Sequence, residues 1–264
     1  MVEKANPSHP NKIADRISGA IVDLAYKKNT KPKISVEVLI GRGVCRIIAK
    51  TSVKFTKAEV RDIVNRIAGK MKIDFVQVPQ DTYQANNQDG KTRCGDNGIF
   101  KYMPLTKEQK VLSFIVKDLY KDYPTDGKYI LSNGKLIACQ SNANKEELEY
   151  RMAAYAKDYV INPMGDWTSS VDANTGTTNH QLISDMADSI TSGGLHGKDL
   201  SKADVSVSIY AFLKAQKTGK PVELCCTIGD ETIDGRPYAE IVNIAHRYIY
   251  SMGGFEKLAE WGLY

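Results

Sequence analysis

The stretch "KISVEVLIGRGVCRIIAKTS" (Lys33–Ser52) carries the pattern on which the fold prediction rests. Two strand-like runs flank Gly41-Arg42-Gly43, which is typical of a β-hairpin. A helix is predicted before this hairpin, over "HPNKIADRISGAIVDLAY" (His9–Tyr26), because apolar residues recur there at helical spacing. Pro10 suits the first turn of that helix, and Asn11 can cap its unpaired amides. The segment is therefore predicted to form a helix followed by a hairpin.

A second helix is predicted after the hairpin, over "TKAEVRDIVNRIAGK" (Thr56–Lys70). Thr56 and Glu59 form a capping-box pattern, and Gly69 lies near the helix end. The same order then recurs in a helix, a hairpin turning at Asn133-Gly134 and a helix, and again in a helix, two strands and a final helix. The ranges are Thr106–Tyr120, Lys128–Ser141 and Asn144–Tyr159, then Leu200–Gln216, strands around Val222–Ile228 and Tyr238–Ala239, and a helix near Ile241–Tyr250.

This repeat predicts an α+β fold of three structurally similar sheet-plus-helix domains related by a pseudo-threefold axis. The domains are predicted at residues 10–76, 104–164 and 198–264, and they are expected to interleave in sequence. Residues 77–103 and 165–197 do not fit the repeat, and both stretches are polar and contain glycine. Long irregular segments inside a compact protein are usually functional or disordered. We therefore expect active-site loops and connections there.

Composition narrows the class of protein. The chain has 264 residues, of which 42% are apolar and 25% charged, as in soluble globular proteins. No membrane-spanning run or signal-peptide pattern is found, so no membrane partner is expected. The five cysteines form no CxxC pair, which favours reduced thiols and a cytoplasmic location. The net charge of +5 is modest, and basic residues do not cluster among aromatic ones, so no nucleic-acid partner is expected.

Several short stretches contain residues suited to chemistry. Asp96 lies between glycines in "CGDNGIFKY", and Asp126 and Lys128 lie two residues apart in "YPTDGKY", on one face of a strand. Taken alone, Asp96 would indicate an ordinary Asp-Gly turn, and the alternative for Asp126 and Lys128 is a structural salt bridge. His9 and Lys12 add positive charge to a helix end that is already positive. They indicate either a polar surface or a site for an anion such as phosphate.

The stretch "SGGLHGKDLSKAD" (Ser192–Asp204) is harder to explain by structure alone. A run of glycines delivers Lys198 and Asp199 to a helix start, and Lys202 and Asp204 follow within its first turns. The spacing does not match a Walker A motif. Two lysines beside two carboxylates would nevertheless suit a triphosphate with its magnesium ions.

Together and in order, six fragments resemble the S-adenosylmethionine synthetase (methionine adenosyltransferase) family. "HPNKIADRISGAIVDL" resembles the family's HPDKIADQISDAVLDA, and "VEVLIGRG" its CETxVKTG strand. "CGDNGI" is similar to GAGDQGxMFGYA, and "PTDGK" to RPDxK. "INPMGDW" is similar to INPTGRF, and "GLHGKDLSKADVS" to GGGAFSGKDPTKVDRS. The resemblance spans nearly the whole chain, and the family's three α+β domains agree with the repeat.

The resemblance implies an activity. The family joins the sulfur of L-methionine to C5′ of ATP and hydrolyses the displaced triphosphate to pyrophosphate and phosphate. Mg²⁺ neutralises the polyphosphate, and K⁺ activates the enzyme. Family active sites are shared between subunits, so a homodimer or a dimer of dimers is expected.

The resemblance also implies a role for each matching residue. His9 would donate a hydrogen bond to the departing triphosphate, and Lys128, Lys198 and Lys202 would hold phosphates. Asp96 would orient methionine, Asp126 the ribose, and Trp167 would stack on adenine. The other substrate-binding residues would be Lys12, Gln77, His180 and Gln181. Asp204 and Asn11 would bind magnesium, and Glu37 would lie at the potassium site.

The chain also departs from the family pattern. Asn11 replaces an aspartate, Asn174 or Thr175 replaces an acidic residue, and His180-Gln181 replaces an Arg-Lys pair. Lys50 falls near a glutamate of the family. Two anions and two cations are lost together, so the charge around the triphosphate stays balanced. We therefore expect a compact, divergent and active member. The alternative is a catalytically weakened homologue that binds ATP or S-adenosylmethionine as a regulatory or partner subunit.

Overall fold

The computed structural model describes residues 1–82, 92–169, 175–180, 185–187 and 195–264. The helices are α1 (Pro10–Lys28), α2 (Lys57–Ala68), α3 (Lys107–Asp122), α4 (Lys145–Tyr155), α5 (Ala203–Thr218), α6 (Tyr238–Ser251) and α7 (Phe255–Trp261). The strands are β1 (Val2–Ala5), β2 (Ile34–Gly41), β3 (Val44–Thr51), β4 (Lys72–Val78), β5 (Gly98–Tyr102), β6 (Gly127–Ser132), β7 (Lys135–Gln140), β8 (Asp158–Ile161), β9 (Thr175–Thr177), β10 (Val222–Cys226), β11 (Thr232–Ile233) and β12 (Arg236–Pro237).

The first sheet has the strand order β4-β3-β2-β9. The predicted hairpin is confirmed as β2 and β3, which pair antiparallel and turn at Arg42-Gly43. Both turn residues have positive φ, 46° and 72°, as a two-residue hairpin turn requires. Helix α2 then leads to β4, which lies parallel to β3, while β9 pairs antiparallel with the other side of β2.

The second sheet repeats this arrangement, with the order β8-β7-β6-β1. Its hairpin turns at Asn133-Gly134, as predicted, again with positive φ at both residues. Helix α4 leads to β8, which lies parallel to β7, and β1 pairs antiparallel with β6. The two sheets therefore share one topology.

The third unit contains a smaller sheet. Strand β10 pairs antiparallel with β5, and β11 and β12 form a short hairpin. The strand predicted at Tyr238–Ala239 is wrong, because α6 begins at Tyr238, directly after Pro237. The helical period was present in the sequence, since Tyr238, Ile241, Ala245 and Ile249 are the buried residues of α6.

Side-chain caps fix the helix starts. The predicted capping box at Thr56–Glu59 is confirmed, and a second capping box starts α3 at Thr106–Gln109. At α1 the cap is not Asn11 but His9, whose Nδ1 accepts the backbone N–H of Asn11 at 3.3 Å. The amide oxygen of Asn11 instead accepts the backbone N–H of Thr177 at 3.1 Å, so it holds β9 rather than the helix end.

The described residues bury two apolar cores. The larger core joins α1 to the first and third sheets and includes Ile17, Ile47 and Phe212. The smaller core lies under the second sheet, around Val116 and Leu136. No helix in the described part of the chain is long and apolar enough to cross a membrane. The domain boundaries stay a prediction.

Candidate active site

The chain between β1 and α1 holds His9 beside the Asp126–Lys128 stretch. The register places Ala5 opposite Lys128, and the Asn6 backbone N–H donates to the carbonyl of Gly127 at 2.9 Å. The side chain of Asn6 donates to the carbonyl of Thr125 at 2.7 Å. These bonds carry the chain from the second sheet directly into α1. As a result, His9 and Lys128, far apart in sequence, lie near each other.

The imidazole of His9 is electrostatically unusual. Burial, followed by the positive charges of Lys128 and Lys12, lowers the pKa of His9 to about 4. The ring is therefore neutral at physiological pH. Because Nδ1 accepts the Asn11 amide, the proton of the neutral ring is assigned to Nε2. His9 thus offers one N–H donor at the positive end of α1.

Asp126, at the strand entry predicted to meet the substrate, lines a cavity with Ser8 and Pro10, the residues on either side of His9 in sequence. Its side chain is buried and accepts the hydroxyl of Ser169 at 3.3 Å. Burial raises the pKa of Asp126 to about 6, against the opposing effects of Ser169 and Lys128. A cavity of about 200 Å³ opens here, with Asp126 and Ser169 in its wall. Trp167 is half-buried nearby, and its carbonyl accepts the backbone N–H of Asn142.

Two buried ion pairs lie behind the start of α1. Lys12 Nζ is 2.5 Å from Asp185 Oδ1, and Lys198 Nζ is 2.7 Å from Asp15 Oδ1. Lys12 and Lys198 are 0% and 1% exposed. Asp15 also accepts the backbone N–H of Asn179 at 3.2 Å. We call Lys12, Asp15, Asp185 and Lys198 the buried ion cluster.

Asp15 and Asp185 were not selected from the sequence. Asp15 is two residues from both Ile13 and Ile17, so it projects from the opposite side of α1, which the fold also buries. A charge buried there needs a partner. Burial raises the pKa of Asp185, and Lys12 acts against that effect.

The glycine-containing turn before α5 directs Lys198 into this cluster. Gly197 and Lys198 both have positive φ, 52° and 57°. A Cβ at Gly197 would lie 1.9 Å from Ser35 Oγ, so only glycine allows the turn to approach β2 this closely. The loop predicted to cradle phosphate therefore packs on the first sheet and turns its first lysine inward.

The rest of that loop meets the Asp96 segment. The backbone N–H of Gly95 donates to the carbonyl of Ser201 at 3.1 Å, and Lys202 Nζ donates to the carbonyl of Gly95 at 3.3 Å. Asp96 is half-buried, and Asp204 is buried in the first turn of α5. The structure thus brings Lys202 and Asp96, both predicted site residues, to one place.

Other predicted site residues lie apart from these groups. Gln77 is exposed on β4, and its side-chain oxygen accepts the backbone N–H of Phe55 at 2.9 Å. Glu37 is exposed on β2 and accepts the hydroxyl of Thr178. His180 is exposed. Gln181 and Asn174 lie outside the described residues.

Comparison with known proteins finds similarity to S-adenosylmethionine synthases. The model of the S-adenosylmethionine synthetase N-terminal domain matches residues 2–86. The S-adenosylmethionine synthase of Helicobacter pylori (strain ATCC 700392 / 26695) is 27% identical over 270 aligned positions, covering 79% of this chain and 70% of that protein. The synthase of Helicobacter hepaticus is 26% identical over the same shares of the two chains.

A solved structure resembles the whole chain. It is described as an unusual S-adenosylmethionine synthetase from Campylobacter jejuni, and it matches with a TM-score of 0.75 and 16% identity over 100% of this chain and 93% of that one. The likeness shows the predicted three-unit, pseudo-symmetric α+β fold. Residues 2–86 thus match the family's N-terminal domain, and in sequence and fold most of the chain is similar to S-adenosylmethionine synthetases.

Proposed function

We propose that the protein is an active S-adenosylmethionine synthetase, which joins the sulfur of L-methionine to C5′ of ATP and releases phosphate and pyrophosphate. The observation that carries this proposal is the neutral His9, fixed at the N-terminus of α1 with its Nε2–H as donor and Lys128 beside it. The remaining site residues are assigned roles around that donor.

In this reaction, negative charge grows on the triphosphate oxygen that leaves C5′. A hydrogen-bond donor aimed at that oxygen stabilises the transition state more than the ground state. The helix N-terminus adds unpaired amides and a positive dipole end. Lys128 is paired with Glu3 at 3.0 Å, but its side chain is 39% exposed, so it can also reach a bound phosphate. His9 and Lys128 would bind the end of the triphosphate that leaves C5′.

The two lysines of the glycine loop would act differently from each other. Lys202 lies beside the Asp96 segment and would bind phosphate directly. Lys198 is held by Asp15, but an ammonium group has three donors. Lys198 would therefore contact phosphate while it keeps Asp15, which fixes its position and limits its freedom before the substrate arrives.

The substrate's other groups would be held by Asp126, Trp167 and Asp96. With a pKa of about 6, Asp126 is mostly ionised at neutral pH and can accept hydrogen bonds from the ribose hydroxyls. The half-buried indole of Trp167 offers a flat face for adenine. Asp96 would attract the methionine ammonium. Lys12, Gln77, His180 and Gln181 stay predicted substrate contacts.

The chain offers oxygen donors of the kind that hard cations prefer. Asp204 and Asn11 would hold magnesium together with substrate phosphates, since Mg²⁺ is commonly bound by one or two carboxylates plus phosphates and water. Within the described residues, no group of three or more His, Cys, Asp and Glu side chains is placed to hold a metal ion. Bound Mg²⁺ would neutralise the triphosphate. Glu37 would lie at the K⁺ site.

A second copy of the chain is the proposed partner. The outer face of the first sheet exposes Leu39, Ile48 and Val76, at 51%, 57% and 46%. Ile48 pairs with Val76 across β3 and β4, so these side chains form one patch. Contiguous apolar patches on a surface usually mark an interface. Light scattering at micromolar concentration should give at least a dimer, and an active monomer would contradict the proposal.

The reaction is tested by incubating the full chain with ATP, L-methionine, Mg²⁺ and K⁺ and measuring S-adenosylmethionine by mass spectrometry. His9→Asn keeps a capping oxygen, but its shorter side chain cannot place an N–H where Nε2–H lies, so kcat should fall about 10²-fold to 10³-fold. His246→Asn is the matched control, because His246 also has a pKa lowered by burial but packs on Tyr26. Equal turnover in both variants would remove His9 from the mechanism.

The weakened homologue is the second candidate, favoured by the exposed His180 at the position of a family arginine. It predicts that calorimetry detects ATP binding while mass spectrometry detects no product. His180→Arg should then tighten ATP binding, because the new charge is permanent.

A further inference from the structure

Two cysteine thiols meet behind the Asp96 segment, and no role described above uses them. The Cys94 thiol donates to the carbonyl of Asp96 at 2.9 Å, and the Cys226 thiol points at the same oxygen from 3.9 Å. Both side chains are buried, at 1% and 6% exposure. Cys226 ends β10 and lies opposite Gly98 of β5, so the strand pairing sets its position relative to Cys94.

The backbone around Cys94 is fixed on both sides. Its N–H donates to the carbonyl of Asp230 at 2.9 Å, and its carbonyl accepts the N–H of Gly229 at 2.9 Å. The two thiols are thus held together by a closed loop and a paired strand.

The two sulfurs also differ in acidity. A hydrogen bond from the Cys226 side chain lowers the pKa of the Cys94 thiol, with help from the Asp96 and Tyr238 groups and against burial and Asp230. The same pairing, together with burial, raises the pKa of Cys226. Cys45 is a useful contrast, since burial alone raises its pKa to about 12. Thiolate character decides which cysteine reacts.

We propose that Cys94 and Cys226 form a hydroperoxide-reactive dithiol site that closes to a disulfide beside Asp96. The Cys94 thiolate attacks one oxygen of hydrogen peroxide; the O–O bond breaks, and Cys94 becomes a sulfenic acid while water leaves after protonation. The Cys226 sulfur then attacks the Cys94 sulfur, the S–O bond breaks and a second water leaves. Two thiols and one peroxide give one disulfide and two waters. A peroxide of near-water size suits thiols this deeply buried.

The disulfide would change the Asp96 segment. Closing it removes the thiol donor that now bonds the Asp96 carbonyl and pulls Cys94 toward β10. If Asp96 orients methionine, which rests on the proposed function, S-adenosylmethionine formation should fall. A displacement of about 1 Å in a positioning group can cost on the order of 10²-fold in rate. We expect a loss of about 10-fold to 100-fold, reversed by dithiothreitol.

The full reduced chain is treated with hydrogen peroxide, alkylated, and digested with trypsin. Cys94 begins the peptide Cys94–Lys101, whereas Cys225 and Cys226 fall within one other peptide. Cys225→Ser is therefore the matched variant that assigns the link, because Cys225 is the exposed neighbour. The expected result is a linked peptide pair in both the wild type and Cys225→Ser, with Cys45 still free to be alkylated after unfolding.

Cys226→Ser should lose the link and leave Cys94 as a sulfenic acid that dimedone traps. The proposal is overturned if Cys225→Ser yields no linked pair, or if Cys94 in that variant reacts with peroxide no faster than Cys45. The mass readout does not depend on catalysis. A linked pair in a protein that makes no S-adenosylmethionine would support the dithiol site and count against the proposed function alone.

Discussion

Two groups of charged side chains in this molecule both join separate segments through ion pairs, but they differ in their exposure to water. The buried ion cluster joins α1 to segments 173 and 183 residues away, with side chains at most 7% exposed. On the second unit, Arg151 of α4 pairs with Asp118 and Asp122 of α3, and Tyr155 also donates to Asp118. Arg151, Asp118 and Asp122 are 31%, 27% and 50% exposed.

The difference shows what each group contributes. Water can solvate the α3–α4 charges when a partner is lost, so their pairing adds little stability. Water cannot reach the charges behind α1, so each depends on its partner to remain buried. The ion pairs of Arg151 therefore lie on the surface and add little. The buried ion cluster determines which distant segments of the chain must meet, at the place where the substrate is proposed to bind.

The largest expected effect comes from breaking one buried pair. Lys198→Met keeps most of the side-chain volume and removes the charge, which leaves Asp15 buried without its ammonium. We expect a loss of about 3–5 kcal/mol in the free energy of unfolding, measured by urea denaturation with circular dichroism.

The double variant Asp15→Leu/Lys198→Met is the control for that experiment. With both charges gone, stability should return close to that of the wild type, since apolar replacement of a buried pair is often neutral. A double variant as unstable as the single one would show that shape, not charge, limits this site.

A smaller effect on stability is expected from the titration of His9 and Asp126, whose pKa values are shifted in opposite directions. The unfolded histidine has a pKa of 6.5 and the folded one about 4, so protonation favours the unfolded chain and stability falls as pH drops from about 6.5 to 4. For Asp126 the values are 3.8 unfolded and about 6 folded, so stability falls as pH rises from about 3.8 to 6. Each corresponds to at most about 3 kcal/mol.

These two slopes oppose each other in the wild type. Relative to the wild type, His9→Asn should lose stability as pH rises from 4 to 6.5, and Asp126→Asn should gain it. Urea denaturation across this pH range measures both. Parallel slopes in the two variants would show that burial does not govern these groups.

The smallest effect is expected at the exposed charges. Arg151→Ala removes every ion pair that joins α3 to α4 among the described residues, yet its urea midpoint should shift by about a fifth or less of the Lys198→Met shift. The remaining difference should shrink in 1 M NaCl, because salt screens exposed charges. A shift as large as that of Lys198→Met would erase the contrast between the two groups.

Local patterns predicted much of the fold. The hairpin turns and both capping boxes follow from a few adjacent residues. Strands β1 and β9 have four and three residues and pair with strands more than 100 positions away, so no local period announces them. The strand predicted at Tyr238–Ala239 failed because the helical period of α6 extends to that position.

The site residues also divide into those that short motifs indicate and those that depend on long-range packing. His9, Asp126 and Lys128 could be selected from short motifs, and the structure brings them together. The partner of Lys198 could not be selected, because it depends on where the turn at Gly197 packs. Gln77 shows the opposite case: its side-chain oxygen is used by the Phe55 backbone. A motif specifies the residue type, but tertiary packing decides which atoms remain for a ligand.

The pairing of β1 with β6 has a consequence for how this protein is made. During synthesis, Val2–Ala5 leaves the ribosome some 120 residues before its partner strand. The strand must therefore remain without its partner while those residues are synthesised. Such distant pairings also slow folding after release. The backbone amides of Val2–Ala5 should consequently exchange with water in the nascent chain until Gly127–Ser132 has been added, and their protection should then appear abruptly.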